Sequence, residues 1–192
     1  MLTRNPLSGV DPLFPSRWSP RAFTGELIEQ SRFDILVEAA RWAPSSSNIQ
    51  PWRLLYVHRE MSEWTSVLET LAEGNREWAH AASHLVLFLA KETHDGRVNG
   101  SCEFDTGASW MSFALQAHRS GLGTHPMGGF DRNAALRALK VPSGYRAMAI
   151  VAVGFIGSAD LLPEHRRESE RTRSDRLSIE RIAHAGSFPE DW

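Results

Sequence analysis

The chain has 192 residues, of which 42% are hydrophobic and 23% are charged, with a formal net charge of −2 and one cysteine, Cys102. This length suits a single domain over residues 1–192 that buries about 70% of its unfolded surface, and the weak net charge argues against nucleic acid as a partner. One cysteine excludes an internal disulfide, which favours the cytoplasm, and no apolar run reaches the roughly 18 residues that span a membrane.

The first third of the chain predicts an irregular segment, a helix and a strand. Residues 1–25 are rich in Pro, Gly and Ser and predict an N-terminal arm. Apolar residues at helical spacing predict a helix over residues 31–43, which Pro44 ends. Large apolar side chains on both faces of residues 52–58 indicate a central strand.

Helical and strand-like patterns continue to alternate through the middle of the chain. A helix is predicted over residues 60–75, with Gly74 as a plausible stop. A buried strand follows over residues 84–90, and then a long helix that begins at Glu103 and ends at Gly121.

The last third of the chain contains a short helix, a strand and a polar segment. Asp131 is a suitable cap for a helix over residues 131–139, and residues 145–157 predict the last core strand. From Leu161 onward the chain is strongly polar, so residues 161–192 are expected to form a C-terminal extension. The alternation of helices and strands indicates helices layered on a sheet.

The sequence has none of the usual signatures of catalytic side chains. There is no phosphate-binding P-loop and no Gly-x-Ser-x-Gly motif. His80 and His84 are four residues apart, but no third ligand has matching spacing, so no metal site is expected. Glu103 would raise the pKa of the neighbouring thiol of Cys102 and so would not activate it. If the protein is an enzyme, a cofactor must supply the chemistry, and no catalytic side chain is expected.

Two arginine-rich stretches suit an anionic ligand such as a phosphate. In an extended arm, Arg17, Ser19 and Arg21 alternate and would point to one side, which places two guanidiniums and a hydroxyl together. A second stretch near the C-terminus adds three more arginines, Arg171, Arg173 and Arg176. The alternative for each stretch is a basic segment that is simply solvated.

Two further stretches would allow a ligand to approach the backbone. Gly128 and Gly129 leave backbone amides uncovered by side chains, although a plain turn is the alternative. The connector "APSSSNIQPW" over residues 43–52 is rich in small polar groups and is flanked by Trp42 and Trp52, so it is suited to lie against a flat molecule.

Together, and in this order, these stretches resemble the nitroreductase family of FMN-dependent oxidoreductases. The resemblance runs from about Arg17 to the "AHAGSF" near the C-terminus. Its most specific part is a Pro-Ser-Ser-x-x-Asn-x-Gln-Pro-Trp-like motif. The matching residues are Pro44, Ser45 or Ser46, Asn48, Gln50, Pro51 and Trp52, and the three consecutive serines leave the register open.

The resemblance implies cofactor-binding roles at the two arginine-rich stretches. The arm residues Arg17, Ser19 and Arg21 would hold the phosphate and ribityl chain of FMN. Arg176 would be a phosphate ligand from the C-terminal extension, with Arg173 assisting.

The resemblance also implies which residues surround the flavin ring. The loop residues Pro44, Ser45, Ser46 and Asn48 would cover the ring from the other subunit of a homodimer, and Asn75 would bond its pyrimidine edge. The remaining matches lie beside the ring, where a backbone N–H would approach N5, the atom that accepts hydride; they are Pro126, Met127, Gly128 and Gly129.

Two positions depart from the pattern of some family members. Trp78 replaces a lysine near the flavin C2 carbonyl, which would make the flavin less oxidising unless Arg17 or Arg21 substitutes. Gly128 replaces a glutamate, which should open the pocket.

The resemblance implies an α+β fold in which helices flank a mostly antiparallel central sheet, within an intertwined homodimer. The implied activity is hydride transfer from NADH or NADPH, through flavin N5, to nitroaromatics, quinones or similar small acceptors by a ping-pong mechanism. The alternatives are a non-catalytic FMN-storage protein, a specialised dehydrogenase or dehalogenase of the same family, and a flavin-free globular module.

Overall fold

The computed structural model describes Arg4 and residues 6–189, and its main element is a four-stranded antiparallel sheet. The ends of the predicted arm and extension, residues 1–3, 5 and 190–192, lie outside the described residues. The helices are α1 (Leu13–Ser16), α2 (Gln30–Arg41), α3 (Trp64–Leu68), α4 (Glu73–Ala79), α5 (Cys102–Arg119), α6 (Arg132–Ala138) and α7 (Glu164–Arg171). The strands are β1 (Trp52–His58), β2 (His84–Lys91), β3 (Thr93–His94), β4 (Arg97–Val98), β5 (Leu122–Met127) and β6 (Tyr145–Phe155).

The sheet has the order β1-β2-β6-β5, and every neighbouring pair in it is antiparallel. The central strands β2 and β6 are buried on both faces, because alternate residues enter different cores. On β2, Leu85 and Leu87 enter one core, while Val86 and Phe88 enter the other. The short strands β3 and β4 form a separate hairpin.

Helices cover both faces of the sheet, as the α+β prediction requires. On one face, α2 and α5 supply Phe33 and Phe113 to the core. On the other face, α3, α4 and α6 pack with Phe23 of the arm, and Trp78 of α4 is one of the largest buried side chains there. The face that holds Trp78 also supports the candidate site described below.

Most predicted elements are confirmed, but the helix expected over residues 60–75 is wrong. The structure has two short helices there, α3 and α4, and Gly74 lies inside the second rather than ending the first. The chain between them pairs with the segment after β5 instead: Leu71 forms a β-bridge with Phe130, and the Ala72 N–H donates to Gly129 O at 2.9 Å. This tertiary pairing outweighs local helix propensity.

The prediction of a central strand over residues 52–58 is correct in its bounds and wrong in its position. Within the chain, β1 lies at one edge of the sheet, and most of its residues are only partly buried. The strand β5 and the helices α1 and α7 were not predicted. Within the described residues, no helix combines the length and hydropathy that crossing a membrane requires.

Candidate functional site

Five arginines line one cavity of about 410 Å³ between the N-terminal arm and the segment that follows α7. They are Arg4, Arg17, Arg21, Arg173 and Arg176. Arginines from both arginine-rich stretches, about 150 positions apart in sequence, therefore meet in space, and Arg171 is the one member that does not line the cavity. Among the described residues, no aspartate or glutamate lines this cavity. We call it the arginine cavity.

The arginines are close enough to perturb one another. Burial lowers the pKa of Arg17, and the positive charges of Arg176 and Arg4 lower it further. Burial also lowers the pKa of Arg4, again with Arg176 contributing. Each shift means that the charged form is less favourable here than in water. An anion with two negative charges would relieve this repulsion, so the cavity suits a terminal phosphate.

A buried carboxylate fixes the arm beside the cavity. Glu170, at the end of α7 and 3% exposed, accepts hydrogen bonds from the backbone N–H groups of Arg21 and Ala22 at 2.8 and 2.9 Å. Its second oxygen lies 4.0 Å from the Arg21 guanidinium. The Arg173 guanidinium lies over the Trp18 ring, 3.2 Å from the ring centre. These contacts hold two of the cavity arginines in place.

Arg4 joins the two segments that form the cavity. Its guanidinium donates to the carbonyl oxygens of Pro15 and Arg17 in the arm, at 2.6 and 2.7 Å, and to Ser174 O after α7, at 3.2 Å. Arg4 therefore holds the arm against the segment that follows α7.

His125 of β5 also lines the arginine cavity. Its Nδ1 lies 3.1 Å from the carbonyl oxygens of both Ser19 and Pro20, and its ring lies 4.6 Å from that of Trp78. Burial, together with the charges of Arg21 and Arg17, lowers the pKa of His125 to about 4. The imidazole is therefore neutral near pH 7.

Asn75 and the two glycines after β5 form a second group of predicted site residues. The Asn75 side-chain amide donates to Gly129 O at 3.1 Å, and Gly128 and Gly129 are exposed. A Cβ on Gly128 would meet nothing within 4 Å, whereas one on Gly129 would lie 3.1 Å from the Asn75 amide nitrogen. The backbone at Gly128 is therefore open to an approaching ligand.

Along the chain, this second group continues directly from the arginine cavity. His125 of β5 lies beside the arginines, and Gly129, just after β5, contacts Asn75. Helix α4 contacts both positions, because its Trp78 lies next to His125 and its Asn75 lies next to Gly129. A strand rises about 3.3 Å per residue and β5 ends at Met127, so His125 and Gly129 lie at most roughly 13 Å apart along the chain. An elongated ligand with one phosphorylated end fits this arrangement.

The predicted cover loop has an unusual backbone. Ser47, Asn48 and Gln50 all have positive backbone φ angles, between 49° and 56°, which residues other than glycine rarely adopt. The Ser45 hydroxyl accepts the Gln50 N–H at 2.9 Å, and Asp105 of α5 accepts the Ser46 N–H at 3.2 Å. Backbone strain of this kind clusters at functional sites.

Within one chain, the loop does not join the other predicted site residues. It precedes β1 at one edge of the sheet, whereas the two glycines follow β5 at the opposite edge. Three strand spacings of about 4.8 Å separate these edges by roughly 14 Å. The predicted site is therefore divided between two edges of the sheet.

Two predicted site positions, Trp78 and Met127, have side chains that point into the core. Trp78 and Met127 are buried, at 1% and 2% exposure, so neither side chain can gate a pocket in this conformation. Any contact of Met127 with a cofactor must use its backbone. The Trp78 indole N–H has no hydrogen-bond partner among the described residues.

Sequence reasoning missed Arg4, His125 and Glu170. Arg4 and Glu170 act on the backbone of the arm, which no sequence motif indicates. His125 lies within the "GLGTHPMGG" stretch, and the strand pattern that would have placed it beside the arm is interrupted by Pro126.

The other titratable candidates do not line the arginine cavity. His80 is exposed at the end of α4, while His84 is buried in β2 and stacks on Phe33 at 4.3 Å, so the two do not share a helix face. Burial raises the pKa of Cys102, and Glu103 raises it further. Across Arg4 and residues 6–189, no group of three metal-ligating side chains could hold a metal ion.

Comparison with known proteins gives a family match over most of the chain. A family model described as the nitroreductase family matches residues 15–155. A crystal structure described as "the oxidoreductase containing FMN" is 38% identical, has a TM-score of 0.92, and aligns over 97% of this chain and 96% of its own.

Two curated relatives are similar over much of their length. An uncharacterized 15.4 kDa protein of Mycolicibacterium smegmatis is 36% identical over 125 residues, which is 65% of this chain and 84% of the relative. A protein of Rhodopseudomonas palustris, provisionally named NADH dehydrogenase/NAD(P)H nitroreductase, is 27% identical over 180 residues, covering 82% of this chain and 90% of the relative.

Proposed function

Because the chain belongs to the nitroreductase family, we propose that this oxidoreductase binds FMN and uses it to oxidise NAD(P)H. The FMN would lie in the arginine cavity and along the Asn75–Gly129 edge, the open backbone formed where Asn75 meets Gly128 and Gly129. The observation that supports this most strongly is the convergence of five arginines on one cavity that no described carboxylate lines. The neighbouring structure whose description includes FMN, and the relative whose name includes NAD(P)H, agree with this proposal.

The arginine cavity would hold the phosphate. Arg17 and Arg21 would contact it from the arm, with Ser19 between them, and Arg173 and Arg176 would contact it from the segment after α7. Charge-assisted hydrogen bonds of this kind contribute about 1.5–3 kcal/mol each. Because burial and mutual repulsion already disfavour the charged form of Arg17, an incoming phosphate gains more there than at an isolated surface arginine.

The edge formed by Asn75, Gly128 and Gly129 would orient the ring. The Asn75 amide is already fixed by Gly129 O and has a second N–H to donate. The open backbone at Gly128 allows an N–H to approach the reacting atom without a side chain between them. Pro126 and Met127 would contribute backbone alone, since the Met127 side chain is buried.

The cover loop would come from the partner subunit of a homodimer. Pro44, Ser45, Ser46 and Asn48 lie at the sheet edge opposite Gly129, too far to cover a ring bound by the same chain. Helix α5 also presents an exposed apolar stripe at helical spacing, in which Phe104 is 83% and Met111 is 37% exposed. A second copy would bury this stripe and bring its own loop to the site.

The side chains of the site would bind and orient, and none would react. FMN, when bound, supplies hydride chemistry at N5 and passes electrons from NAD(P)H to a nitroaromatic, a quinone or a similar small acceptor. His125 and Cys102 do not suit acid, base or nucleophile roles at neutral pH, because burial lowers the pKa of the first and raises that of the second. The lone buried thiol fits the reducing cytoplasm.

One observation supports a second function, the storage of FMN without turnover. Trp78 occupies the position where some family members have a lysine near the flavin C2 carbonyl, and its buried side chain provides no positive charge there. A less easily reduced flavin would favour a storage role. A specialised dehydrogenase or dehalogenase would bind FMN at the same residues and would differ only in its substrate.

Steady-state kinetics with purified holoprotein separates these functions. An oxidoreductase of the proposed kind oxidises NADH or NADPH only when an acceptor is supplied, and double-reciprocal plots give parallel lines because both substrates use one open face in turn. Holoprotein that retains FMN but does not oxidise either nucleotide with quinone or nitroaromatic acceptors would support storage. Intersecting lines would contradict the shared face.

A further inference from the structure

The contacts of the His125 ring determine which of its two nitrogens bears the hydrogen, and therefore which hydrogen bonds the ring can make with a ligand. Both groups near Nδ1 are carbonyl oxygens, of Ser19 and Pro20, each 3.1 Å away. Carbonyl oxygens only accept hydrogen bonds, so Nδ1 must bear the hydrogen. Because the ring is neutral at pH 7, Nε2 then has a lone pair and no hydrogen. No described residue hydrogen-bonds Nε2.

This acceptor is unusual among the side chains that line the arginine cavity. The other lining side chains are guanidiniums, an indole and hydroxyls, all of which can donate a hydrogen bond. A phosphate group alone is satisfied by hydrogen-bond donors, because its oxygens accept hydrogen bonds. An atom that can only accept, on a strand that continues from this cavity toward Gly128, is instead matched by a ligand with an N–H or O–H group next to its phosphate.

We infer that Nε2 of His125 accepts a hydrogen bond from a hydroxyl on the chain that joins the phosphate to the ring of the bound flavin. The inference rests on the proposed FMN site and deepens it. In FMN, that chain is a ribityl group with several hydroxyls. His125 would thus select a polyhydroxylated phosphate ester over an alkyl phosphate, while the arginines recognise only the charge.

The surroundings of His125 make this contact specific rather than adaptable. The ring is held on one side by the arm carbonyls and on another by Trp78, whose ring centre lies 4.6 Å away. A preorganised acceptor loses little conformational entropy on binding. An acceptor that a ligand covers but leaves unpaired has a desolvation cost, so a ligand without the hydroxyl should bind measurably more weakly.

The test compares two flavins and three proteins. Flavin-free protein is titrated with FMN and with an analogue whose chain is an unsubstituted phosphopentyl group, and affinity is measured by flavin fluorescence quenching. His125→Asn keeps an amide N–H near the position of Nδ1 and removes the acceptor at Nε2. His125→Gln places an amide oxygen near Nε2. Thermal melting of each protein verifies that it is folded.

The wild-type protein is expected to bind FMN about 3- to 10-fold more tightly than the analogue, the range of one neutral hydrogen bond. In the His125→Asn protein this preference should fall to less than about half its wild-type value, and His125→Gln should recover part of it. Equal binding of the two flavins by the wild-type protein, or an undiminished preference in His125→Asn, would overturn the role of His125 while leaving the flavin site intact. Failure of the folded wild-type protein to bind either flavin would instead refute the proposed function, and the role of His125 with it.

Discussion

Single residues in the arginine cavity differ in how strongly the fold holds them. Arg17 is half-buried and lies near other positive charges, which lower its pKa. Arg176 is exposed and donates to the carbonyl oxygen of its own neighbour, Asp175, at 3.0 Å. Arg17 is therefore preorganised for an anion, whereas Arg176 must turn toward one. We expect Arg17 to contribute more to phosphate binding than Arg176 does.

Neutralising both arginines should largely remove the flavin. Each charge-assisted bond contributes about 1.5–3 kcal/mol, so the double variant Arg17→Gln/Arg176→Gln should bind FMN roughly 100-fold or more weakly. Fluorescence titration of flavin-free protein measures this change. Arg97→Gln is a matched control, because Arg97 is exposed in the β3–β4 hairpin and does not line the cavity. Unchanged affinity in the double variant would refute the phosphate assignment.

Substitution of Asn75 tests how the ring is oriented. Asn75→Ala removes the amide that contacts Gly129 O and that would bond the ring edge. Loss of one neutral hydrogen bond should slow reduction by NAD(P)H about two- to tenfold and leave measurable turnover, because no side chain performs the chemistry. Rapid-mixing absorbance measures the reduction rate. Complete loss of activity with FMN still bound would mean that Asn75 has a catalytic role.

His84 makes stability depend on pH. Burial lowers its pKa from 6.5 to about 4, with His58 contributing. Between these two values the unfolded chain binds a proton that the folded chain does not, so stability falls as pH is lowered from about 6.5 to about 4. The loss from this group amounts to about 3 kcal/mol at most.

Denaturant unfolding between pH 7 and pH 4 measures this dependence. His84→Phe should reduce it, although a slope should remain because His125 also has a lowered pKa. His80→Asn, which changes an exposed histidine, should keep the wild-type slope. An equal slope in His84→Phe and wild type would contradict the assignment.

At the scale of elements, the sequence predicts the helices and strands whose positions follow from local apolar patterns. The long helix α5 and the buried strands β2 and β6 have continuous apolar patterns, and their predicted bounds agree with the structure to within a few residues. The break between α3 and α4 could not be predicted, because it depends on Leu71 pairing with Phe130, almost 60 positions away. The strand β5 was missed because Pro126 interrupts its pattern.

The same distinction applies to the site. Arg17, Ser19 and Arg21 could be proposed from their alternate spacing, and the structure places all three at one cavity. Arg4, Glu170 and the tautomer of His125 could not, because each depends on backbone groups contributed by another segment. Physical pattern predicts which side chains share a face, and only the tertiary structure determines which backbone atoms they meet.

The exposed stripe on α5 gives a test of assembly. Phe104 and Met111 are seven residues apart and lie on one face, and a Cβ on the intervening Gly107 would meet nothing within 4 Å. Phe104→Glu/Met111→Glu would place two like charges in the proposed interface and should shift the protein toward monomer in sedimentation. Leu161→Glu, also an exposed apolar position, should not. A dimer that persists in the double variant would mean that α5 is not its interface.

At the scale of the whole molecule, the proposed site needs two chains. One chain provides the arginine cavity and the Asn75–Gly129 edge, while its own strained loop before β1 lies at the opposite edge of the sheet. A second copy that buries the α5 stripe could supply its loop to this site and receive the reciprocal loop. Flavin binding and dimer formation would then be linked, so FMN should stabilise the dimer.

The central claim, that the arginine cavity holds FMN, is tested most directly by reconstitution. Flavin-free protein is mixed with excess FMN, the unbound flavin is removed by gel filtration, and the absorption spectrum of the protein peak is recorded. The account predicts that one FMN is retained per chain, and that Arg17→Gln/Arg176→Gln retains far less under the same conditions. A folded wild-type protein that leaves the column without flavin absorption would contradict it.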